Sequence, residues 1–209
     1  MRFFIIVLIF SILSTSLAAK EKRSNTHIVT KENISDWEFD KNLSYPQIKS
    51  KQHNIIVDYQ RKTGKHLIDQ GYEVQTTRHG EVLIIIIPAN ILFPANEVIL
   101  TNSADKHLSP IVKLLSINSG YKVLLSMHSD DTGNEIYANN LTTQRVLSVY
   151  NWFIGNGCIN MIVPYAMGAD EPLMPNNSIA NRQINRRLEI YLVPDDPMIV
   201  QAKENRLWD

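Results

Sequence analysis

Asp130 and Arg145 are the residues of this chain with the most chemistry to offer. Asp130 follows a short apolar run, Val123 to Leu125, that reads as a buried strand. It sits in His128-Ser129-Asp130-Asp131-Thr132-Gly133-Asn134, where Asx residues and glycine mark a loop. A helix is predicted to begin near Asn140 to Thr142, all good capping types. Arg145 then lies about one turn into that helix and reaches back over the loop. A fixed anion and a fixed cation would flank one pocket, which suits a zwitterion: aspartate accepts from an ammonium while arginine forks onto a carboxylate. Backbone amides near Leu141 and Thr142, at the expected helix start, would add anion donors. In the plainer alternative, Asp130 and Arg145 pair with each other and pin loop to helix.

The elements that must position these residues follow from patterning. Residues 1–18 read as a secretory signal peptide, with Arg2 as n-region, Phe3 to Leu13 as apolar core and Ser16-Leu17-Ala18 as a small-x-small cleavage site. An uncleaved anchor is the competing reading, though Phe3 to Ala19 is short for the roughly 20 residues of a span. Residues 19–53 are polar and read as a linker or, through Trp37 and Phe39, as a docking arm. Ile55 to Gln70 forms an amphipathic helix with Ile55, Ile56, Tyr59, Leu67 and Ile68 as its apolar positions, weakened at Gly64 and closed by Gly71. Tyr72 to Thr77 alternates as a strand, and Glu81 to Ile87 is a second one, apolar on both faces and therefore covered on both. Ser103 to Asn118 is a helix with Pro110 as an irritant. Ile159 to Met167 is strand-like, and Pro164 pushes it toward an edge. Ser178 to Arg186 is a short helix. Arg187 to Val193 is a strand with Leu188, Ile190 and Leu192 on one face and Glu189 and Tyr191 on the other. Residues 195–209 are a polar tail.

Several of these stretches also resemble the peptidoglycan-binding domain of OmpA-like proteins, the group that includes Pal and the MotB periplasmic domain. Met127-His128-Ser129-Asp130 stands where that family has Gly-His-Thr-Asp, Leu141-Thr142-Thr143-Gln144-Arg145 matches Leu-Ser-x-x-Arg, and Asn185-Arg186-Arg187-Leu188-Glu189-Ile190 matches Asn-Arg-Arg-Val-Glu-Ile. The resemblance covers roughly Gly71 to Pro194. It implies an α+β domain at 54–194, with helices on a mixed four-stranded sheet in β-α-β-α-β order. It also implies a pocket for the diaminopimelate of a stem peptide, with Asp130 taking the ammonium and Arg145 the carboxylate. Thr132, Leu141, Thr142, Phe93, Asn96 and Arg186 would border that pocket. Arg186 has a second reading, as a surface arginine paired with a nearby acid. The chain departs from the family pattern at Met127 (glycine expected), Ala138 (asparagine expected), and Pro94 and Asn96 (acids expected).

Other chemistries find little support. Lysine plus arginine equal aspartate plus glutamate at 21 each, so no basic excess points to nucleic acid. Cys158 is the one cysteine; it excludes an intrachain disulfide and, being far from the N-terminus, a lipobox anchor. His128 with Asp130 and Asp131 lacks a well-spaced third metal ligand, and no nucleophile, Walker or dinucleotide motif is present. The expectation is a non-enzymatic, cofactor-free periplasmic module, located at the wall or the inner face of the outer membrane. It would bind peptidoglycan and belong to an envelope complex. The alternative is a structural subunit of an envelope assembly such as a secretion system, with a weakened or lost pocket.

Overall fold

A computed structural model describes Pro46, residues 48–117 and residues 120–207. The expected signal peptide and most of the 19–53 arm, with Trp37 and Phe39, lie outside the described residues. Helix α1 (Ser50–Asp69) leads into a hairpin of β1 (Glu73–Thr77) and β2 (Val82–Pro88). A single turn, α2 (Ala89–Leu92), and a loop precede α3 (Ala104–Ile117). Then come β3 (Tyr121–His128), α4 (Glu135–Gly155), β4 (Ile162–Gly168), α5 (Ile179–Asn185), β5 (Arg187–Pro194) and α6 (Asp196–Lys203).

The α+β class is as expected, but the sheet has five strands rather than four, in the order β1-β2-β5-β3-β4. The segment holding Pro164 is a strand at the sheet edge, where the sequence pattern put it, and pairs parallel to β3. An edge strand has one side free of ladder bonds, so the missing proline N–H costs little there. β5 runs antiparallel to both β2 and β3 and closes the middle of the sheet.

One large core lies on the helical side. Leu83, Ile85 and Ile87 of β2, Val123, Leu125 and Met127 of β3, and Leu188, Ile190 and Leu192 of β5 face it at period two. Leu108, Ile111 and Leu115 of α3 and Val146, Val149 and Phe153 of α4 close over them. A smaller cluster, Val82, Leu124, Val163, Tyr165 and Val193, occupies the other face of the strands. Met127 points into the large core, so its side chain fills space behind the pocket and does not project into it.

Three details depart from the patterning. The buried stripe of α1 is Ile56, Gln60, Thr63, Gly64 and Leu67, while Ile68 is exposed. Gln60 is buried because its amide is satisfied: Nε2 donates to the Glu81 and Leu192 carbonyls, and Oε1 accepts from Tyr121. Gly64 is where α1 approaches the sheet, since a Cβ there would sit 3.1 Å from Leu83 Cδ2. And residues 195–207 are no loose tail: α6 buries Met198 and Ala202, and Leu207 follows them into the large core.

Candidate functional site

β3 and α4 deliver the site. The strand runs on to His128, further than its apolar stretch indicates, and its end is tied to β4 through Ser129 N donating to the Gly168 carbonyl at 2.6 Å. Asp130 is the second residue past the strand. Its Oδ1 accepts from Thr132 N at 2.7 Å, an Asx turn that fixes the carboxylate. Its Oδ2 accepts from Arg186 Nη1 in an ion pair. Burial works against ionisation of this acid, but the Thr132 and Arg186 hydrogen bonds outweigh it and hold the carboxyl below its ordinary value.

α4 starts at Asn134, whose side chain accepts from Tyr137 N at 2.8 Å, and not near Asn140 to Thr142. Two expectations change with it. Leu141 and Thr142 lie inside the helix, where their amides serve the helix ladder, so they are not anion donors. The Thr142 hydroxyl donates to the Ala138 carbonyl at 2.9 Å and accepts from Gly168 N at 3.2 Å, so Thr142 ties α4 to β4 outside the pocket lining. Leu141 does line the pocket, as an apolar wall.

Arg145 is 5% exposed and well inside α4. Its Nε donates to the Glu97 carbonyl at 2.8 Å and its Nη2 to the Pro94 carbonyl at 3.2 Å. The guanidinium lies over the Phe93 ring, 4.9 Å from the centroid. Burial, first, and then the charge of Arg186 lower its pKa, while Tyr137 acts in the opposite sense. Asp130 and Arg145 are thus not each other's partner: the acid's ion pair is with Arg186, and the guanidinium braces the 94–97 loop.

The three charged groups meet at one cavity of about 340 Å³, walled by Phe93, Asn96, Thr132, Tyr137 and Leu141 among others. Seven of the eight expected residues line it; Thr142 does not. Asn96 adopts φ 60°, a left-handed conformation that asparagine tolerates, and accepts from the Tyr137 hydroxyl at 3.3 Å. That bond joins the loop to the first turn of α4 beside the cavity. Tyr137 was missed by sequence reasoning; the available signal was an aromatic residue four positions after the loop glycine Gly133.

Each residue of the Asn185-Arg186-Arg187 run has its own task. Asn185, fully buried, exchanges bonds with the Met174 backbone at 2.9 and 2.7 Å and orders the 174–176 loop. Arg186 turns to Asp130, with which it makes an ion pair, and it lines the cavity. Arg187 turns away, donating to Glu189 Oε1 at 2.6 Å and to the Asn185 and Glu171 carbonyls. His128 also faces Glu189 and Ser126 rather than the pocket.

Residues 92–186, which hold the loop, both ends of the ion pair and the bracing arginine, match the OmpA family. That stretch, a little under half of the chain, is similar to the OmpA family. The chain is 27% identical over 126 residues to lipoprotein YiaD of Escherichia coli (strain K12), covering 60% of this chain and 58% of that one. The chain therefore spans little more than half of that relative's length. It is 25% identical over 146 residues to the peptidoglycan-associated lipoprotein of Buchnera aphidicola subsp. Baizongia pistaciae (strain Bp), covering 69% of this chain and 84% of that one. Its fold is similar to that of a MotB-like protein from Desulfovibrio vulgaris, with a TM-score of 0.60 at 22% identity over 69% of this chain and 96% of that one. The cell wall anchor of the T6SS from Pseudomonas aeruginosa gives a TM-score of 0.53 at 20% identity, over 67% and 97% of the two chains.

Proposed function

We propose that this domain binds peptidoglycan non-covalently through the Asp130–Arg145–Arg186 cavity and tethers an envelope structure to the cell wall. The observation that carries the reading is the convergence of one carboxylate and two guanidiniums on a single ligand-sized cavity. A diaminopimelate end carries an ammonium and a carboxylate on one carbon. Asp130 uses one lone pair on each oxygen for Thr132 and Arg186, which leaves acceptor capacity for an ammonium. Arg145 has Nη1 left for a carboxylate after its bonds to the loop carbonyls.

The relatives support the same reading. One is named for its association with peptidoglycan, and one similar structure is called a cell wall anchor. The place of action would be the periplasm, reached through the N-terminal signal. Among the described residues, no helix is long and apolar enough to cross a membrane.

A pull-down on purified sacculi tests the proposal. The wild-type chain is expected in the pellet, and Asp130→Ala and Arg145→Ala in the supernatant. Each lost charged hydrogen bond, at about 1.5–3 kcal/mol, weakens binding at least tenfold. A second reading, a structural subunit of an envelope assembly with a weakened pocket, is favoured by the neutral Asn96 and by the existing hold of Arg186 on Asp130. Equal retention of all three proteins, or of none, would select it.

A further inference from the structure

The sheet is buried on both faces, but the described helices pack on one. β3 is buried at every position, and β5 at every position but Tyr191. Helices α1, α2, α3, α4 and α6 all contribute to the large cluster. No described helix contributes to the cluster of Val82, Leu124, Val163, Tyr165 and Val193 on the opposite face. Yet those five side chains are at most 5% exposed, and Leu124 and Val163 not at all. A bare sheet face would leave such side chains open to water, at a cost set by their apolar area.

We propose that residues 19–45 cover this face, folding back across the outer side of the sheet with Trp37 and Phe39 on the apolar cluster. The burial is reached within one chain, so the cover is intramolecular. The run Asp36-Trp37-Glu38-Phe39-Asp40 alternates acids with aromatics. In an extended segment the two rings share one side and the three carboxylates the other, which suits one dry face and one wet face. Each ring brings about 150–250 Å² of surface to bury. The reach is sufficient as well. α1 begins at Ser50, and His53 in its first turn bonds Glu81 at 2.6 Å. Glu81 precedes Val82, so the chain enters α1 beside one margin of the cluster. From β2 across β5 and β3 to β4 is roughly 14 Å of strand spacing. Trp37 lies nine residues before Pro46, and an extended stretch of that length spans about 30 Å.

The chain purified after export and its Trp37→Ala/Phe39→Ala double variant test this. Dye binding to apolar surface, thermal melting and mass across a dilution series are compared. The wild type is expected to be a monomer that binds little dye. The double variant should melt at least about 5 °C lower and bind the dye severalfold more strongly. Acrylamide quenching of Trp37, taken as the difference between wild type and Trp37→Phe, should be severalfold weaker than that of a free peptide of residues 30–45. Strong dye binding by the wild type, or quenching of Trp37 as in the peptide, would overturn the proposal. So would a double variant that melts and binds dye like the wild type. A wild-type dimer that gains dye binding on dilution would overturn it by giving the face to a second copy. If the double variant does not fold, the quenching of Trp37 decides alone.

Discussion

At the residue scale, the Asp130 and Arg145 pair was legible because both side chains carry their chemistry in their identity, whatever surrounds them. What they do with that chemistry was not legible, because their partners come from remote stretches: Arg186 for the acid, and the Pro94 and Glu97 carbonyls for the base. Glu189 makes the same point on the other side of the sheet. It reads as an outward residue of an alternating strand, yet it is buried among Arg187, His128 and the Tyr191 hydroxyl, which donates to it at 2.6 Å. Burial raises its pKa, but His128, Tyr191 and Arg187 outweigh burial and lower it from 4.5 to about 2. A depressed folded-state value means that its contribution is fully present above the unfolded value and is lost as pH falls through the folded one. The window therefore runs from about 4.5 down to about 2, and the contribution is on the order of 3 kcal/mol. Glu189→Gln should lose about that much at neutral pH, because Arg187 is left buried without its counter-ion. It should also show a shallower loss of stability on acidification than wild type. Urea titrations across this range would measure both, and a variant as acid-sensitive as wild type would sink the assignment.

At the element scale, strands were easier to place than helix starts. Period-two alternation in β5 gave both position and facing, and the continuous apolar run of β2 gave a strand covered on both faces. The start of α4 was obscured by Asn139, Asn140, Thr142 and Thr143, capping types that normally mark a boundary. In the fold they sit inside the helix and bond backward: Asn140 to the Ile136 carbonyl, Thr142 to Ala138, and Thr143 to Asn139. The working cap is Asn134, followed by Glu135, whose charge favours the positive end of the helix. The junction of α4 with β4 is set by Gly168. It holds φ 55°, and a Cβ there would collide with Asn139 Oδ1. Gly168→Ala should therefore destabilise by roughly 1–3 kcal/mol and loosen the Ser129 and Thr142 ties that aim the Asp130 loop. Asn139→Ala in the same chain should restore part of that loss, since it removes the collision but not the backbone strain. Melting curves of the single and double variants test this, and full restoration would show that the φ value carries no cost.

At the scale of the whole molecule, the cavity stands where strand ends and helix starts converge: β3 and α4 on one side, the chain after β2 on another, and α5 leading into β5 on a third. A site assembled from three connections needs a sheet that does not shift, and the helical layer supplies that rigidity. The sequence hid one part of this layer. Met198, Ala202 and Leu207 are too sparse among polar residues to read as a buried face, so 195–209 looked like a tail. Met198, Ala202 and Leu207 meet the core while Val200 between them is exposed, and α6 packs there against α1 on the large cluster. Removing three core side chains together forfeits burial at roughly 1.5–3 kcal/mol for each large one, before any cavity cost. A chain ending at residue 195 should therefore lose several kcal/mol, a large share of a typical domain's total of about 5–15 kcal/mol. The loss should appear as a markedly lower urea midpoint. Because no residue of α6 lines the cavity, whatever fraction stays folded should keep its affinity for sacculi. An unchanged midpoint would mean that α6 is an accessory to the fold; a folded truncation that no longer bound would place part of the recognition surface on it.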